Sequence, residues 1–189
     1  GVVTGEDFTF GKGRGGNLAL LREVGAEAGI EARAVGPVMD GGRPVSSSRI
    51  RDALKAGECE EAARLMTRPF AIRGTVVHGD KRGRAIGYPT ANMELGSYLR
   101  PRFGIYAVTG RLGDGTELKG AANVGVRPMF EPPRELLEPH FFDFDGDLYG
   151  QDIEVALHHF LRPEMKFDLL AALQAQMAED CEQAKGLLR

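Results

Sequence analysis

Two side chains with neutral oxygen atoms that could bind a metal ion stand two positions apart near the middle of the chain. Thr90 and Asn92 lie in residues 87–92 (GYPTAN), and side chains two positions apart in an extended segment face the same side. Hydroxyl and amide oxygens are hard, neutral ligands, which suit a Mg²⁺ ion whose other ligands are waters and phosphates. The segment therefore predicts a magnesium and phosphate site. The simpler alternative is a polar edge strand that binds no metal.

A basic loop precedes this segment. Residues 79–84 (GDKRGR) place three cations and two glycines directly after a predicted strand. Exposed backbone N–H groups and cationic side chains together suit anionic oxygens such as those of phosphates. The alternative interpretation is an exposed hairpin loop.

A carboxylate beside an apolar run is a candidate general base. Glu138 stands just before residues 141–144 (FFDF), and a carboxylate in apolar surroundings is a candidate for proton transfer. His140 has the same facing on a strand, although a packed or surface histidine is the simpler interpretation. Pro139 cannot donate a ladder hydrogen bond, so the strand is predicted to be an edge or to be irregular there.

Two segments near the N-terminus could bind anions. Residues 46–51 (SSSRIR) predict hydroxyls and backbone N–H groups at a helix N-terminus, with Arg49 or Arg51 adding charge. A plain serine cap is the alternative. Residues 11–16 (GKGRGG) fit the pattern G-x-G-x-x-G, but residues 8–10 (FTF) make a poor buried parallel strand. We therefore interpret residues 11–16 as a flexible or anion-binding loop rather than a dinucleotide fingerprint.

Two further polar clusters receive structural interpretations. Residues 143–147 (DFDGD) resemble the start of a calcium loop but lack the later glutamate of an EF-hand, so they predict a tight acidic turn. His158 and His159 have no partner at metal-ligand spacing, so we interpret both as structural.

Composition excludes several classes of protein. The chain has 189 residues, 26 of them glycine, and a net charge of −3 at pH 7. The glycines have no three-residue period, which excludes collagen, and no apolar run approaches the roughly 18 residues of a membrane helix. The negative charge disfavours a globally basic nucleic-acid binder. Two distant cysteines, Cys59 and Cys181, argue against a disulfide scaffold or a cysteine zinc site.

The elements that position these residues change character near Arg68. Before it, the sequence predicts helices and strands in alternation, with Asn17 capping a helix that Gly29 closes. The predicted elements are a helix over 18–28, a strand over 30–38, a loop over 39–42, a helix from the serine run to Gly57, and a helix over 58–66.

After Phe70 the hydrophobic pattern has a period of two. Residues 113–115 (GDG) are a hairpin turn signal, and Asp168 is predicted to cap a C-terminal helix. Several strands joined by turns predict a closed or nearly closed antiparallel barrel. The predicted strands are residues 70–78, 104–112, 116–124, 138–144 and 151–160.

Five ordered motifs together resemble the bacterial bifunctional riboflavin kinase/FMN adenylyltransferase family. The most specific is residues 87–92, which match the riboflavin kinase signature. Residues 5–13 resemble the flavin-side loop of the adenylyltransferase module, and residues 46–51 resemble the second nucleotide signature of that superfamily. Residues 123–130 and 143–150 resemble two further kinase segments. The resemblance runs along nearly the whole chain.

The resemblance implies a fold in two parts. Residues 1–67 would be an α/β remnant, the C-terminal part of a Rossmann-like FMN adenylyltransferase (nucleotidylyltransferase) domain. Residues 68–189 would be the riboflavin kinase domain, an all-β six-stranded antiparallel barrel with a C-terminal helix. The H-x-G-H motif of the adenylyltransferase superfamily is absent, since the first histidine is His78. The chain starts at Gly1 without methionine, so we expect a fragment or processed product.

The resemblance also implies a role for each matched residue. Glu138 would accept the proton of the ribityl 5′-hydroxyl of riboflavin, and Thr90 and Asn92 would bind Mg²⁺ and the phosphates of ATP. Arg127 and Phe130 would bind the flavin. The implied nucleotide-binding residues are Gly79, Lys81, Arg84, Gly87, Pro89, Thr90 and Asn92. The implied residues of the adenylyltransferase remnant are Asp7, Phe8, Ser47, Ser48 and Arg51.

The predicted function is ATP-dependent phosphorylation of riboflavin to FMN. Its cofactor would be Mg²⁺, and its partners would be riboflavin, FMN, ATP and ADP. The intact parent is expected to adenylylate FMN to FAD as well, which this chain is not expected to do efficiently. We expect a cytoplasmic protein, a monomer or weak oligomer, that binds neither nucleic acid nor membrane. The alternatives are a non-catalytic flavin- or nucleotide-binding module and, on the few cations of residues 79–84, a nucleic-acid-binding barrel.

Overall fold

Two units make up the chain in the computed structural model, which describes residues 1–79, 83, 86–127 and 133–189. The first unit is Gly1–Ser46 and the second is Ser47–Arg189. The helices between Ser47 and Met66 thus group with the barrel, although the sequence predicts a domain boundary near Arg68. That boundary rests on the change of hydrophobic period near Arg68 rather than on packing, and it stays a prediction.

The first unit holds a small parallel sheet and one capped helix. β1 (Val2–Gly5) pairs in parallel with β4 (Ala32–Val35), which is shorter than the predicted strand. α1 (Leu18–Glu27) begins after Asn17, whose side chain accepts a hydrogen bond from the Leu20 N–H at 3.0 Å. This cap was predicted, and it satisfies a backbone donor that the helix leaves unpaired.

Two short ribbons complete the first unit. β2 (Thr9–Phe10) pairs antiparallel with β3 (Gly16–Asn17), so the G-x-G-x-x-G pattern forms the connection between two antiparallel strands. A dinucleotide fingerprint instead joins a buried parallel strand to a helix, and the structure therefore favours the plain-loop interpretation. β5 (Met39–Asp40) and β6 (Arg43–Pro44) form a hairpin where a loop was predicted.

The second unit contains the predicted barrel. Its sheet has six strands in the order β7-β12-β9-β10-β11-β8, and every pairing is antiparallel. A bridge between Val77 and Asn92, with the Val77 N–H 2.8 Å from the Asn92 carbonyl oxygen, joins the two edges, so the barrel is nearly closed. The strands are β7 (Phe70–Thr75), β8 (Met93–Glu94), β9 (Gly104–Arg111), β10 (Glu117–Arg127), β11 (Arg134–Phe141) and β12 (Asp152–Arg162).

Alternate side chains of these strands fill the barrel. The largest are fully buried, and burying an aliphatic side chain contributes about 1.5–3 kcal/mol. Tyr106 also lies inside, where its hydroxyl donates to the Arg102 carbonyl oxygen. The fully buried core residues include Ile72, Met93, Val108, Val124, Leu137, Ile153, Val155 and Leu157.

Three helices pack around the barrel within the second unit. α2 (Ser47–Ala56) and α3 (Cys59–Met66) contact each other, and α3 packs against β7 and β12. α4 (Leu170–Leu187) covers the outer face of β9 and β10, where Ala107 and Ala121 meet Cys181. None of the described helices has the length and apolar character that crossing a membrane requires.

The start of α4 differs from the prediction. The residue at its N-cap position is Leu169, and no side chain caps the helix. Asp168 therefore does not act as the cap. The extended backbone conformation of an N-cap residue is found at Leu169, with φ −117° and ψ 134°. This is one position after Asp168, and a leucine side chain cannot accept a hydrogen bond from the helix.

Candidate functional site

One row of side chains crosses the outer face of the barrel. Asn123 in β10 pairs with Glu138 in β11 and with Ile105 in β9, and Ile105 pairs with Arg162 in β12. Continuing the register of β8 and β11 by one residue puts Asn92 opposite Glu138. Residues directly opposite each other point to the same face of a sheet, and all five line one cavity.

Pro139 does not interrupt the strand that carries Glu138. β11 pairs with β10 continuously from Arg134 to Phe141, so the predicted irregularity is absent. The Pro139 carbonyl oxygen accepts from the Ala91 N–H at 2.9 Å. Because the N–H and C=O of one strand residue point the same way, the missing donor faces residue 91 rather than β10. The pyrrolidine ring is fully buried inside the barrel.

Two polar side chains contact the Glu138 carboxylate. The Arg127 guanidinium donates to Oε2, and the Asn123 amide reaches the same oxygen at 3.4 Å. The second hydrogen of that amide points to Glu164 Oε1 at 3.1 Å. The Glu138 side chain is only 14% exposed, and that of Arg127 is 36% exposed. Both hydrogen bonds fall on Oε2, and Oε1 accepts none from the described part of the chain.

Asn92 is a buried amide beside the row. The residue is 7% exposed, and its side chain makes no hydrogen bond to the residues that the structure describes. Its amide packs against Gly79, where any Cβ would collide with it. Thr90 lies nearby, with Oγ1 3.6 Å from the position that a Cβ on Gly83 would take. A buried amide normally has a hydrogen-bond partner, and Asn92 finds none among the described residues.

The cavity has a volume of about 530 Å³, which lies in the range of small-molecule sites. The polar row, by which we mean Asn92, Glu138, Asn123 and Arg162, forms one wall, and the other wall is apolar. The apolar side chains come from the sheet and from the C-terminal region, namely Ile105, Ala121, Leu136, Met165, Phe167, Leu173 and Met177.

A buried ion pair joins the two walls. Arg162, at the end of β12, donates to both oxygens of Asp180 in α4, at 2.8 and 2.7 Å. The side chains are 16% and 6% exposed, and Gln176 adds a hydrogen bond to Asp180 at 3.3 Å. Bidentate pairs of this kind fix geometry as well as charge, so the pair holds α4 against the sheet.

The histidines and cysteines have structural surroundings. His140 donates from Nδ1 to the Pro89 carbonyl oxygen at 2.9 Å and packs edge-on against Tyr88. His158 contacts Thr109 Oγ1 at 2.9 Å, and burial lowers its pKa. Burial raises the pKa of Cys181 to about 11 and that of Cys59 to about 12. The residues that the structure describes include no group of metal-binding side chains.

The acidic segment after β11 forms the predicted turn. Asp143 adopts a positive φ of 53°, and Asp147 accepts from the Tyr149 N–H at 3.0 Å. This segment and Pro89 line a second cavity of about 350 Å³. Tyr149 also stacks on His78 with ring centroids 3.9 Å apart.

The predicted site residues fall into four groups. Gly79, Thr90, Asn92, Arg127 and Glu138 line the larger cavity, Pro89 lines the second, and Gly87 is an exposed turn residue with φ 91°. Lys81, Arg84 and Phe130 lie outside the described residues.

The predicted adenylyltransferase residues are divided between the units. Asp7 and Phe8 belong to the first unit, where the Phe8 ring stacks on Phe10 at 5.7 Å. Ser47, Ser48 and Arg51 belong to the first turns of α2 in the second unit, and Arg51 donates to Ser47 Oγ at 3.2 Å. Their neighbour Arg49 is paired with Glu61 at 2.6 Å.

Sequence reasoning missed four residues of the site. Asn123, Glu164, Arg162 and Asp180 line the cavity, but their contacts join residues 15 to 41 positions apart. Asn123 was inside a segment already singled out, so its side chain could have been considered. The segment RPE at 162–164 follows the last predicted strand and carries no pattern that identifies a site.

A nearly closed six-stranded antiparallel barrel, with a ligand-sized cavity between its outer face and a C-terminal helix, defines a class of small-molecule-binding barrel. The polar row gives that barrel a carboxylate and neutral oxygen donors. The family model described as "Flavokinase: Riboflavin kinase" matches residues 66–188, and the chain belongs to the riboflavin kinase family. A model described as FAD synthetase matches residues 1–49.

Curated relatives extend over both regions. The Escherichia coli (strain K12) protein described as bifunctional riboflavin kinase/FMN adenylyltransferase is 43% identical over 180 residues, which cover 95% of this chain and 57% of that protein. The Haemophilus influenzae protein of the same description is 40% identical over 182 residues, 96% of this chain and 59% of that one. The chain thus spans little more than half the length of these relatives.

One solved structure is similar along most of the chain. It is a Streptococcus pneumoniae protein described as a macrolide-efflux protein, with 35% sequence identity and a TM-score of 0.79. The match covers 93% of this chain and 57% of that one. The similarity extends to the arrangement of the elements, and the description applies to that protein alone.

Proposed function

We propose that the chain transfers the terminal phosphoryl group of ATP to the 5′-hydroxyl of riboflavin, forming FMN and ADP. The observation that carries the proposal is the row Asn92–Glu138–Asn123 along one wall of a ligand-sized cavity. Phosphoryl transfer depends on in-line positioning and on neutralising phosphate charge more than on covalent help. The Glu138 carboxylate between two neutral amides matches that requirement.

Glu138 is the proposed general base. Its Oε2 is engaged by Arg127 and Asn123, and Oε1 accepts no bond from the described residues. An anchored carboxylate with one open oxygen can accept the proton of a primary alcohol as the alcohol attacks phosphorus. The attacking oxygen then forms the new P–O bond while the bond to the departing ADP oxygen breaks.

Thr90 and Asn92 are the proposed residues for Mg²⁺ and the phosphates. The residues fit the ion, because a buried amide without a described partner and a neighbouring hydroxyl offer hard, uncharged oxygens. Bound Mg²⁺ would neutralise phosphate charge. Gly79 has no Cβ, so its backbone can lie close to the Asn92 amide, where a Cβ would collide. Gly79, Lys81, Arg84, Gly87 and Pro89 are the other proposed nucleotide contacts.

The apolar wall is the proposed site for the flavin ring. Ala121 and Ile105 form an apolar surface on the sheet. Phe167 and Met177 line the same cavity from the C-terminal region. A flat aromatic ring is bound well between such surfaces. Arg127 and Phe130 are the proposed flavin-binding residues at the end of β10 and beyond.

FAD formation is proposed only for an intact parent protein. The relatives are described as bifunctional, but this chain lacks the H-x-G-H motif. Asp7, Phe8, Ser47, Ser48 and Arg51 are the proposed adenylyltransferase residues that it retains. The proposed domains are residues 1–67 and 68–189. We also propose a cytoplasmic monomer or weak oligomer that binds neither nucleic acid nor membrane.

An assay of the purified chain with riboflavin, ATP and Mg²⁺ tests the proposal. We expect FMN and ADP in equal amounts, detected by chromatography, and no FMN when Mg²⁺ is chelated. Glu138→Gln is expected to abolish most of the rate, whereas Glu135→Gln, on the same strand and paired with Arg100, is expected to retain it. A folded chain that forms no FMN would contradict the proposal.

A second candidate function is flavin binding without turnover. The ion pair between Arg127 and Glu138 favours it, because a guanidinium on the carboxylate opposes its use as a base. Riboflavin binding measured by equilibrium dialysis, in the same sample as the assay, separates the two. Binding without FMN formation at saturating ATP supports the module, and turnover excludes it.

A further inference from the structure

The Asn123 amide bridges two carboxylates. One amide hydrogen points to Glu164 Oε1 at 3.1 Å and the other to Glu138 Oε2 at 3.4 Å, which is a long and weak hydrogen bond. Glu164 lies in the segment after β12, and its carboxylate covers Gly125 so closely that a Cβ there would collide with it. Glu164 therefore lies directly against the strand that carries Asn123.

The two carboxylates determine which way the amide points. A flipped amide would place its oxygen against two anions, so the nitrogen must face them. The carbonyl oxygen then turns inward, where it is buried and finds no hydrogen-bond donor among the described residues. An unsatisfied buried acceptor lowers stability, and a leucine at this position would avoid that cost. The amide is therefore not explained by folding stability.

We infer that Asn123 is a positioning residue for Glu138 and that Glu164 anchors it. The inference rests on the proposed riboflavin kinase function and adds two residues to it. Arg127 and Asn123 both engage Oε2 of Glu138. Two donors on one oxygen stop the carboxylate from rotating and direct Oε1 to the reacting hydroxyl. Glu164 holds the amide from its other side, so the two donors keep their places during turnover.

The arrangement predicts an effect on turnover rather than on binding. A rotating carboxylate loses alignment with the hydroxyl, and misalignment lowers the rate of the chemical step. Neither Asn123 nor Glu164 needs to touch substrate for this effect. The Michaelis constants for riboflavin and ATP should therefore stay nearly unchanged when either residue is replaced.

The test compares Asn123→Leu, Glu164→Gln and the double variant with the unmodified chain. We expect Asn123→Leu to lower kcat for FMN formation roughly 10- to 100-fold, with both KM values within about 2-fold. Glu164→Gln should lower kcat roughly 3- to 10-fold. The double variant should be no slower than Asn123→Leu, since the effects of residues in one hydrogen-bond network are not additive. Asn17→Leu removes the same side chain from the cap of α1 and should leave kcat unchanged.

Several results would overturn the inference. One is an unchanged kcat for Asn123→Leu when the unmodified chain makes FMN. This result would contradict the inference but not the proposed function. Another is a kcat loss matched by a loss of folded protein in the thermal melt of both single variants. If the unmodified chain makes no FMN, the proposed function fails separately. Side-chain amide NMR then decides the bridge: the Asn123 NH₂ signals must shift in both Glu138→Gln and Glu164→Gln, and unshifted signals refute it.

Discussion

The two units bury their apolar side chains to very different extents. Only Gly16, Gly25 and Ala32 are buried in the first unit, whereas the second has a continuous core inside the barrel. Val3, Val35 and Val38 in the first unit are 68%, 59% and 72% exposed. The region whose motifs resemble an adenylyltransferase thus has no large core of its own, and the region whose motifs resemble a kinase does.

The difference in packing matches a difference in site geometry. The larger cavity is lined entirely by residues of the second unit, and its polar groups are held by strand pairing. In the first unit, Asp7 and Phe8 are exposed, and they contact their chain neighbours, Asp7 lying beside Gly5 and the Phe8 ring stacking on Phe10. A rigid scaffold is what positions reacting groups to within the tolerance that catalysis needs. We therefore expect the second unit to perform the proposed chemistry alone.

Replacing the proposed base should have the largest effect. Glu138→Gln keeps the shape of the side chain and its contacts with β10 but removes its basicity. We expect kcat for FMN formation to fall roughly 100- to 10,000-fold, the usual contribution of general base catalysis. Steady-state kinetics with a thermal melt checks this result. A rate within tenfold of the unmodified chain would show that Glu138 is not the base.

Closing the space beside Asn92 should have the next largest effect. In Gly79→Ala the new methyl group collides with the Asn92 amide and displaces a proposed magnesium ligand. We expect kcat/KM for ATP to fall about 10- to 100-fold, since small displacements of a positioning group are costly. Gly113→Ala is the matched control, because nothing lies within 4 Å of a Cβ there. Equal kinetics for the two variants would contradict a nucleotide site at Asn92.

Core substitutions measure the difference between the units directly. Ile72→Ala removes a fully buried side chain from the barrel and should lower the free energy of unfolding by about 2–5 kcal/mol. Val3→Ala removes an exposed side chain from the first unit, where surface substitutions usually change stability by less than about 0.5 kcal/mol. Urea unfolding followed by far-UV circular dichroism compares them. Similar losses would mean that the first unit also contributes to a cooperative core.

The fold could be predicted wherever the pattern was local. β9 was predicted over 104–112 and is Gly104–Arg111, because a short run rich in β-branched and aromatic residues (IYAVT, 105–109) lies there between two glycines. β11 begins at Arg134 rather than at 138, since its first half carries charges on the exposed side and adjacent leucines. β8 has two residues, and so short a strand leaves no periodic signal in the sequence.

For the site, individual residues could be predicted from the sequence, but their spatial arrangement could not. Glu138 and Asn92 were identified from residue type and motif, but their place opposite each other follows from the register of β8 and β11. The anchors of the site are Asn123 and Glu164, 41 residues apart. Contacts at that separation are fixed by topology, and no local pattern encodes them. Of the two alternatives predicted at Pro139, the irregular strand is absent. The paired residues of β8 and β11 end at Leu137, so the edge alternative stays a prediction.

A smaller effect should come from the pH dependence of the barrel. Burial holds the pKa of His158 below its ordinary value, with the nearby His159 adding to the effect, so the folded chain favours the neutral ring. The unfolded chain binds the proton more readily, and stability is complete above about pH 6.5 and declines as the pH falls below it. His158→Gln should flatten the decline in melting temperature between pH 7.5 and 5.5. Parallel profiles for the two proteins would show that other groups cause the decline.

Removing the first unit should have the smallest effect on kinase activity, and it tests the comparison most directly. A chain of residues 47–189 keeps α2, the six strands, α4 and every residue of the larger cavity. Because a region with its own core can fold alone, kcat and both KM values for FMN formation should stay within roughly threefold of the full chain. Kinetics and a melt of both proteins check this. A folded truncated chain with a tenfold lower kcat would mean that residues 1–46 contribute to turnover despite the absence of their side chains from the cavity. A truncated chain that fails to fold would mean that their exposed apolar residues stabilise the barrel, and the contrast between the two units would no longer hold.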